Sequence, residues 1–226
     1  MERWHLSDPA RRPLTLFVIA EQLRSAPFSE ALLDLIDTSS ENGGTVTVGC
    51  HGWSHRSWSA WDADPEGFDE ALERATTLLS STLGSAVRPW FRAPAGYVAP
   101  WMAQVLAGRG YRLDSSVNPT FLLRRKAGPN RSWSEVTAAM EGAGIVERPW
   151  MTHLGLPANG PALHIPVLRL LARRAWMRVN GGPVATEEHL LDAGCTITTL
   201  YWHLDDHLRR GGLWTPPIDH LEPSTG

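Results

Sequence analysis

Two histidines four residues apart are the side chains of this sequence that are best suited to metal chemistry. His51 and His55 follow a β-branched run, residues 45–48, and Gly49, where we expect the chain to leave a sheet. Ligands in α/β proteins commonly bind beyond the carboxyl ends of strands. A helical turn over residues 52–55 would place both imidazoles on one face, within reach of one divalent ion, with a third ligand, such as a carboxylate, from elsewhere. The alternative is one histidine that caps a turn and one that faces water.

An arginine and an aspartate also lie at or near the ends of predicted strands. Arg92 comes directly after an aromatic run and before a Pro/Gly turn, and Asp114 lies in or at the end of a later predicted strand. A buried carboxylate needs a partner, so we expect Asp114 to pair with Arg92. The alternative is a surface arginine on an edge strand.

A third histidine follows the last β-branched run, residues 196–201. His203 is placed to act as a general acid, because histidine ordinarily titrates near neutral pH. Asp205 or Asp206 could orient its other ring nitrogen. The alternative is a strand end whose charges only face water.

Aromatic residues accompany these motifs, and the chain has 11 tryptophans. We expect Trp53, Tyr97 and Trp202 to line the substrate site, because aromatic faces stack on flat ligands such as sugar rings. Core packing is the simpler explanation for most of the other tryptophans.

Strands and helices alternate along the chain in the order that would position these residues. We predict strands at 14–20, 45–48, 90–92, 110–117, 145–150 and 196–203, and helices at 30–36, 65–79, 100–108, 167–179 and from 186. Ser29 is the predicted N-cap of the first helix, and Pro65 and Gly84 bracket the second. Residues 121–134 and 154–166 are predicted to be irregular. The fold class is α/β, as a distorted and incomplete (β/α) barrel, with a doubly wound sheet as the alternative.

Bulk composition limits the function classes. The 226 residues suit one domain, with a core at about 14–210 and a loosely ordered tail at 211–226. The net charge of -3 is spread without a basic stripe, which argues against nucleic acid and favours a small-molecule or glycan substrate. Cys50 and Cys195 are expected to be reduced core thiols. The sequence shows neither a signal segment nor a membrane span and predicts a cytoplasmic protein, with its oligomeric state left open.

Several motifs in the same order resemble the polysaccharide deacetylase family, the NodB-homology domain of carbohydrate esterase family four. The resemblance covers most of the chain. Its motifs lie at residues 14–18, 48–55, 91–96, 110–119 and 200–206.

The resemblance implies a distorted (β/α) barrel that hydrolyses an N-acyl amide, usually an N-acetyl group on an amino sugar. His51 and His55 would bind a divalent ion, zinc first, with cobalt, manganese and nickel as alternatives. Arg92 would position the catalytic aspartate, Asp114 would belong to the catalytic group, and His203 would be the acid. The alternatives are a catalytically inactive carbohydrate-binding or scaffold domain of the same fold and a hydrolase of a non-sugar amide.

One family feature has no counterpart in this sequence. Members of the family carry paired aspartates on a strand upstream of the 14–18 motif, whereas the 13 residues before Leu14 contain only Asp8, which is too close to replace them. Three explanations compete: a start codon further upstream, a degenerate copy, or recruitment of another carboxylate. We favour the first and expect the chain as given to be nearly inactive.

Overall fold

Five parallel strands form the central sheet of the computed structural model, which describes residues 13–41, 45–179 and 185–203. The strands are β1 (Leu14–Val18), β2 (Val46–Cys50), β3 (Val87–Phe91), β4 (Leu113–Asp114) and β5 (Val146–Glu147). They lie side by side in chain order. A doubly wound sheet reverses its order at a switch point, whereas a (β/α) barrel does not. The predicted α/β class is therefore confirmed, and the strand order is that of a barrel sector.

Helices alternate with these strands. They are α1 (Ala26–Glu41), α2 (Pro65–Leu83), α3 (Met102–Gly108), α4 (Trp133–Gly142), α5 (Pro166–Trp176) and α6 (Glu187–Leu191). The predicted start and stop signals of α2 are confirmed. Asp64 accepts a hydrogen bond from the Gly67 N–H at 2.9 Å, Pro65 is in the first turn, and Gly84 ends the helix with φ +53°.

The main core lies between the sheet and the helices α2 and α3. Val48 and Phe91 of the sheet are fully buried, and Phe68 of α2 meets the Phe91 ring edge-on at 5.9 Å. A smaller cluster, built on Trp176, packs against Leu14 of β1 and Leu200 near the end of the described chain. The last described segment therefore folds back toward the first strand.

Several predicted boundaries were wrong. Ser29 lies inside α1, where its hydroxyl donates to main-chain carbonyls of the preceding turn, so it is not the N-cap. Residues 154–166 include part of a short hairpin, β6 (Thr152–His153) and β7 (Leu156–Pro157). The predicted strand at 196–203 makes a single parallel bridge, between Trp150 and Thr199. The predicted tail at 211–226 lies outside the described residues.

The two cysteines have different surroundings. Cys50 is buried in β2, as predicted, and Cys195 is half-buried, where its thiol donates to Asp192 Oδ2 at 3.2 Å. The prediction of a core thiol was therefore wrong for Cys195. In the described ranges, no helix is both long enough and apolar enough to cross a bilayer.

Candidate functional site

His51 and His55 lie together just beyond the end of β2. Their ring centroids are 5.4 Å apart and the rings are tilted by 69°. The predicted helical turn is wrong, because Gly52 has φ +82°, which a right-handed helix does not allow, and residues 53–55 form a bend. The bend nevertheless brings the two imidazoles to one place.

The protonation state of His51 follows from its surroundings. Its Nδ1 atom lies 2.6 Å from the carbonyl oxygen of Arg92, so Nδ1 carries the proton and donates it. Burial lowers the pKa of His51 to about 3, and the positive charges of Arg92, His55 and His203 act in the same direction. The ring is therefore neutral at pH 7, with the Nε2 lone pair available to a ligand, as in metal-binding histidines.

The Arg92 guanidinium sits among aromatic rings beyond the end of β3. Its Cζ lies 4.4 Å from the Phe17 ring centroid and 4.8 Å from that of Tyr201. Nε donates to the main-chain oxygen of Ser115 and Nη2 to the Ser115 hydroxyl, both at 2.8 Å. No hydrogen bond joins Arg92 to Asp114 in the described part of the chain, and the predicted pairing acts through charge, since the Asp114 carboxylate raises the pKa of Arg92 against the effect of burial. Burial lowers the pKa of Arg92 to about 10, which leaves it charged at neutral pH.

Asp114 is completely buried at the end of β4. Its carboxylate accepts hydrogen bonds from the Ser116 hydroxyl at 2.6 Å and the Ser116 N–H at 3.2 Å. Its neighbour across the sheet is Glu147 of β5. Burial raises the pKa of both carboxyls, that of Glu147 well above its usual value. A fully buried Asp114 does not reach a substrate, so the structure does not place it among the catalytic groups we predicted.

His203 lies on the same side of the chain as Tyr201. The two rings are 5.9 Å apart, and the His203 side chain is exposed. Tyr201 also lies 4.8 Å from the Arg92 Cζ, so His203 is brought to the neighbourhood of Arg92, and its charge acts to lower the pKa of His51. Asp205 and Asp206, the predicted orienting residues, lie outside the described residues.

The predicted substrate-binding aromatics divide into two groups. Trp53 and Tyr97 are half-buried, and each has a cation beside its ring: Arg74 Cζ at 4.0 Å from the Trp53 centroid and Lys126 Nζ at 5.2 Å from that of Tyr97. Their ring faces are thus partly occupied by cations of the chain itself.

Trp202 is not brought to this group of residues. It packs edge-on against Trp176, with ring centroids 5.9 Å apart, in the small cluster near Leu14. Side chains of an extended segment alternate in direction, so Tyr201 and His203 face one side and Trp202 the other. Tyr201 occupies the place that we had predicted for Trp202.

Four residues of the site were missed. Phe17 and Tyr201 flank Arg92, Ser115 accepts its hydrogen bonds, and Glu147 adjoins Asp114. Glu147 carried a usable signal, since it is a charged residue within a predicted apolar strand. Phe17 carried none, because its position near the guanidinium depends on packing between strands.

The donor set fits part of a metal site. Two imidazoles side by side, with the His51 ring neutral, suit a zinc-type ion. In the part of the chain that is described, no third His, Cys, Asp or Glu joins them in a cluster able to hold a metal ion. The described residues therefore supply two of the three protein ligands that a catalytic zinc site usually has.

A family profile, a curated protein and a solved structure each match part of this chain. The family profile described as polysaccharide deacetylase matches residues 8–113. A peptidoglycan deacetylase of Helicobacter pylori is 27% identical over 145 residues, which cover 62% of this chain and 43% of that protein. A crystal structure from Mycobacterium smegmatis, described as a polysaccharide deacetylase, aligns with a TM-score of 0.44 and 17% identity, over 77% of this chain and 55% of that one. This chain thus spans about half the length of the proteins it matches.

Proposed function

This chain belongs to the polysaccharide deacetylase family, and we propose that it is a metal-dependent hydrolase that removes the acyl group from an N-acylated sugar or polysaccharide. The observation that carries the proposal is the grouping of His51, His55, Arg92 and His203. His51 and Arg92 directly follow neighbouring strands of the sheet, where active sites of α/β enzymes lie. The H. pylori relative is named for peptidoglycan, and a glycan of that type is the substrate we propose.

His51 and His55 would hold the divalent ion, with zinc first and cobalt, manganese or nickel as alternatives. Such an ion supplies Lewis acidity toward the acyl carbonyl when it is bound. The chain contributes a His51 ring that is already neutral and already oriented by the Arg92 carbonyl. That orientation lowers the entropic cost of ligation.

His203 would deliver the proton that the departing nitrogen needs. In the overall reaction one water is consumed, the C–N bond breaks, the acyl group leaves as a carboxylate and the sugar amine is released. An exposed imidazole beside Tyr201 can reach a substrate in the solvent and exchange its proton with water. Trp53 and Tyr97 would contact the sugar at the edge of the site.

Acetate release from N-acetylglucosamine oligomers and from peptidoglycan tests the proposal. We expect slow release, because the paired aspartates of the family have no counterpart in this sequence, and this release should be lost with a chelator and restored by zinc, cobalt or manganese. His51→Ala should lose both metal and activity, whereas His203→Ala should lose activity and keep the metal. His189→Ala, on the exposed surface of α6, is the matched control and should retain both.

The alternative outcomes are distinct. Sugar binding by a protein that takes up no metal would identify a carbohydrate-binding domain of the same fold and refute the hydrolase. Metal uptake with release from a small amide but not from sugars would keep the hydrolase and refute the glycan substrate.

A further inference from the structure

Two acidic side chains lie next to each other in the sheet beneath Arg92. Asp114 of β4 and Glu147 of β5 are paired in register on parallel strands, so they point to the same face about 5 Å apart. Asp114 has no exposed surface, and the Oε2 atom of Glu147 is buried. Two neighbouring carboxylates in such a place repel each other and lose their hydration.

Hydrogen-bond donors to this pair are fewer than its oxygen atoms require. Ser116 supplies two donors to Asp114, and the Val117 N–H donates to Glu147 Oε1 at 3.2 Å. Among the described residues, no N–H or O–H donor reaches Glu147 Oε2, and the two carboxyl groups lie close enough to share a hydrogen bond with each other. A proton on Oε2, directed at the neighbouring Asp114, would satisfy that atom and give Asp114 a third donor.

The charges around the pair lead to the same protonation state. Arg92, directly after β3, is the cation whose charge acts on both carboxyls, and its Cζ also lies 4.8 Å from the Tyr201 ring centroid. Arg148 follows β5, but its guanidinium donates to main-chain carbonyls of residues 189–195. One cation balances one carboxylate, and burial raises the pKa of Glu147 most, so Glu147 is the group that retains the proton.

The pair is connected to His51 through one peptide unit. The Ser116 hydroxyl that donates to Asp114 accepts a hydrogen bond from the Ala93 N–H at 2.7 Å. The carbonyl of that same peptide unit, on Arg92, accepts the His51 Nδ1 proton. A chain of hydrogen bonds therefore runs from the acidic pair to the imidazole, and it fixes the peptide from both sides.

We propose that Glu147 is a protonated positioning residue, which donates a hydrogen bond to Asp114 and through Ser116 holds the Arg92–Ala93 peptide that orients His51. The pair then carries a single negative charge, matched to Arg92. The catalytic consequence rests on the proposed function, whereas the protonation state does not.

Carbon-13 NMR of protein labelled at the glutamate carboxyl carbon tests the protonation state in the metal-free chain. We expect one resonance at the position of a protonated carboxyl at pH 7, absent in Glu147→Gln and present in the control Glu141→Gln, an exposed residue of α4. Titration of every glutamate in the ordinary acidic range would overturn the proposal, whether or not the chain is an active deacetylase.

Substitutions at Glu147 test the positioning role. Glutamine keeps a neutral donor toward Asp114, so Glu147→Gln should retain kcat within about threefold, as expected when a hydrogen bond is preserved. Glu147→Ala should lower kcat about 10- to 100-fold with a smaller change in KM, the usual range for residues that orient a ligating histidine.

Nitrogen-15 NMR of the metal-free chain should show the Nδ1–H tautomer of His51 in the glutamine variant and its loss in the alanine variant. An unchanged His51 signal in a folded Glu147→Ala protein would refute the connection to the imidazole. If the NMR results hold and no form releases acetate, the proposed function fails and the positioning role stands.

Discussion

The Nδ1 atom of His51 lies 2.6 Å from the main-chain carbonyl oxygen of Arg92, which joins the end of β2 to the end of β3. The hydrogen bond uses no charged group of Arg92, whose guanidinium turns instead to Ser115. The arginine therefore contributes twice to the site: its backbone orients an imidazole, and its side chain supplies a positive charge among aromatic rings.

The first prediction concerns the acid stability of the metal-free protein. His51 has a pKa of about 3 in the folded chain and about 6.5 when unfolded, so the unfolded chain binds more protons between these values. This contribution to stability is complete above about pH 6.5 and is lost as the pH falls toward 3, with a slope of up to about 1.4 kcal/mol per pH unit.

Urea unfolding in the presence of a chelator, from pH 4 to pH 8, measures this slope. His51→Gln should remove its share of the slope, so the difference in stability between pH 7 and pH 5 should be smaller in the variant than in the parent. An identical pH dependence in the parent and in His51→Gln would contradict the prediction.

The second prediction concerns the space above Gly49. A Cβ atom there would lie 2.6 Å from Cε1 of Phe17, whose ring contacts the Arg92 guanidinium. Gly49→Ala should therefore push Phe17 into Arg92 and destabilise the protein by about 1 to 3 kcal/mol, as overpacking does. Thermal and urea unfolding measure the change.

Two further variants isolate the contact. Phe17→Leu should recover part of the stability in the double variant, because the smaller side chain vacates the space. Gly108→Ala, in α3 with no atom within 4 Å of the added methyl, should be neutral or stabilising by up to about 1 kcal/mol. Equal effects of the two glycine substitutions would rule out the Phe17 contact as the cause.

Gly49 also shows what the sequence could and could not reveal. The sequence placed it at the end of a strand, but β2 continues to Cys50, and the glycine is required by a ring from the neighbouring strand. Local signals such as Pro65, Gly84 and the hydrophobic period of α2 act within one element and were sufficient to predict it. Contacts between strands depend on register, which no local signal specifies.

In the candidate site, too, some features could be predicted from local signals, whereas others depend on strand register. The histidine spacing and the strand ends predicted which residues come together, since strand ends of a parallel sheet share one edge. The pairing of Asp114 with Glu147 depends on the β4/β5 register, and Tyr201 is set by a return of the chain from far along the sequence. By contrast, the missed helix α4 had a local signal: Ser132 and Glu135 form a capping box.

The third prediction concerns Gly160, which leaves room for Tyr201. An added Cβ would overlap the Tyr201 hydroxyl, and the residue has φ +51°. Gly160→Ala should therefore displace Tyr201 from Arg92 and lower both stability, by about 1 to 3 kcal/mol, and the proposed deacetylase activity. Gly155→Ala is the matched control, because it shares the positive φ, +72°, but has no atom within 4 Å of the new methyl. Activity losses of the same size in both variants would assign the effect to backbone strain.

The fourth prediction concerns Arg148, a buried residue whose role differs from that of Arg92. Its guanidinium donates four hydrogen bonds to the main-chain carbonyls of Leu190, Cys195, His189 and Asp192, at 2.9, 2.8, 2.7 and 2.6 Å. These bonds attach α6 and the following turn to the end of β5.

Arg148→Met should therefore destabilise the protein by about 2 to 4 kcal/mol, since it leaves charge-assisted bonds unmade. Arg148→Lys should recover only a part, because an ammonium cannot reproduce the planar fork. Hydrogen exchange should accelerate first over residues 187–195, while Arg112→Met, at an exposed position, should leave that segment protected. Uniform acceleration across the whole chain in Arg148→Met would show that the arginine supports the global core and not this attachment.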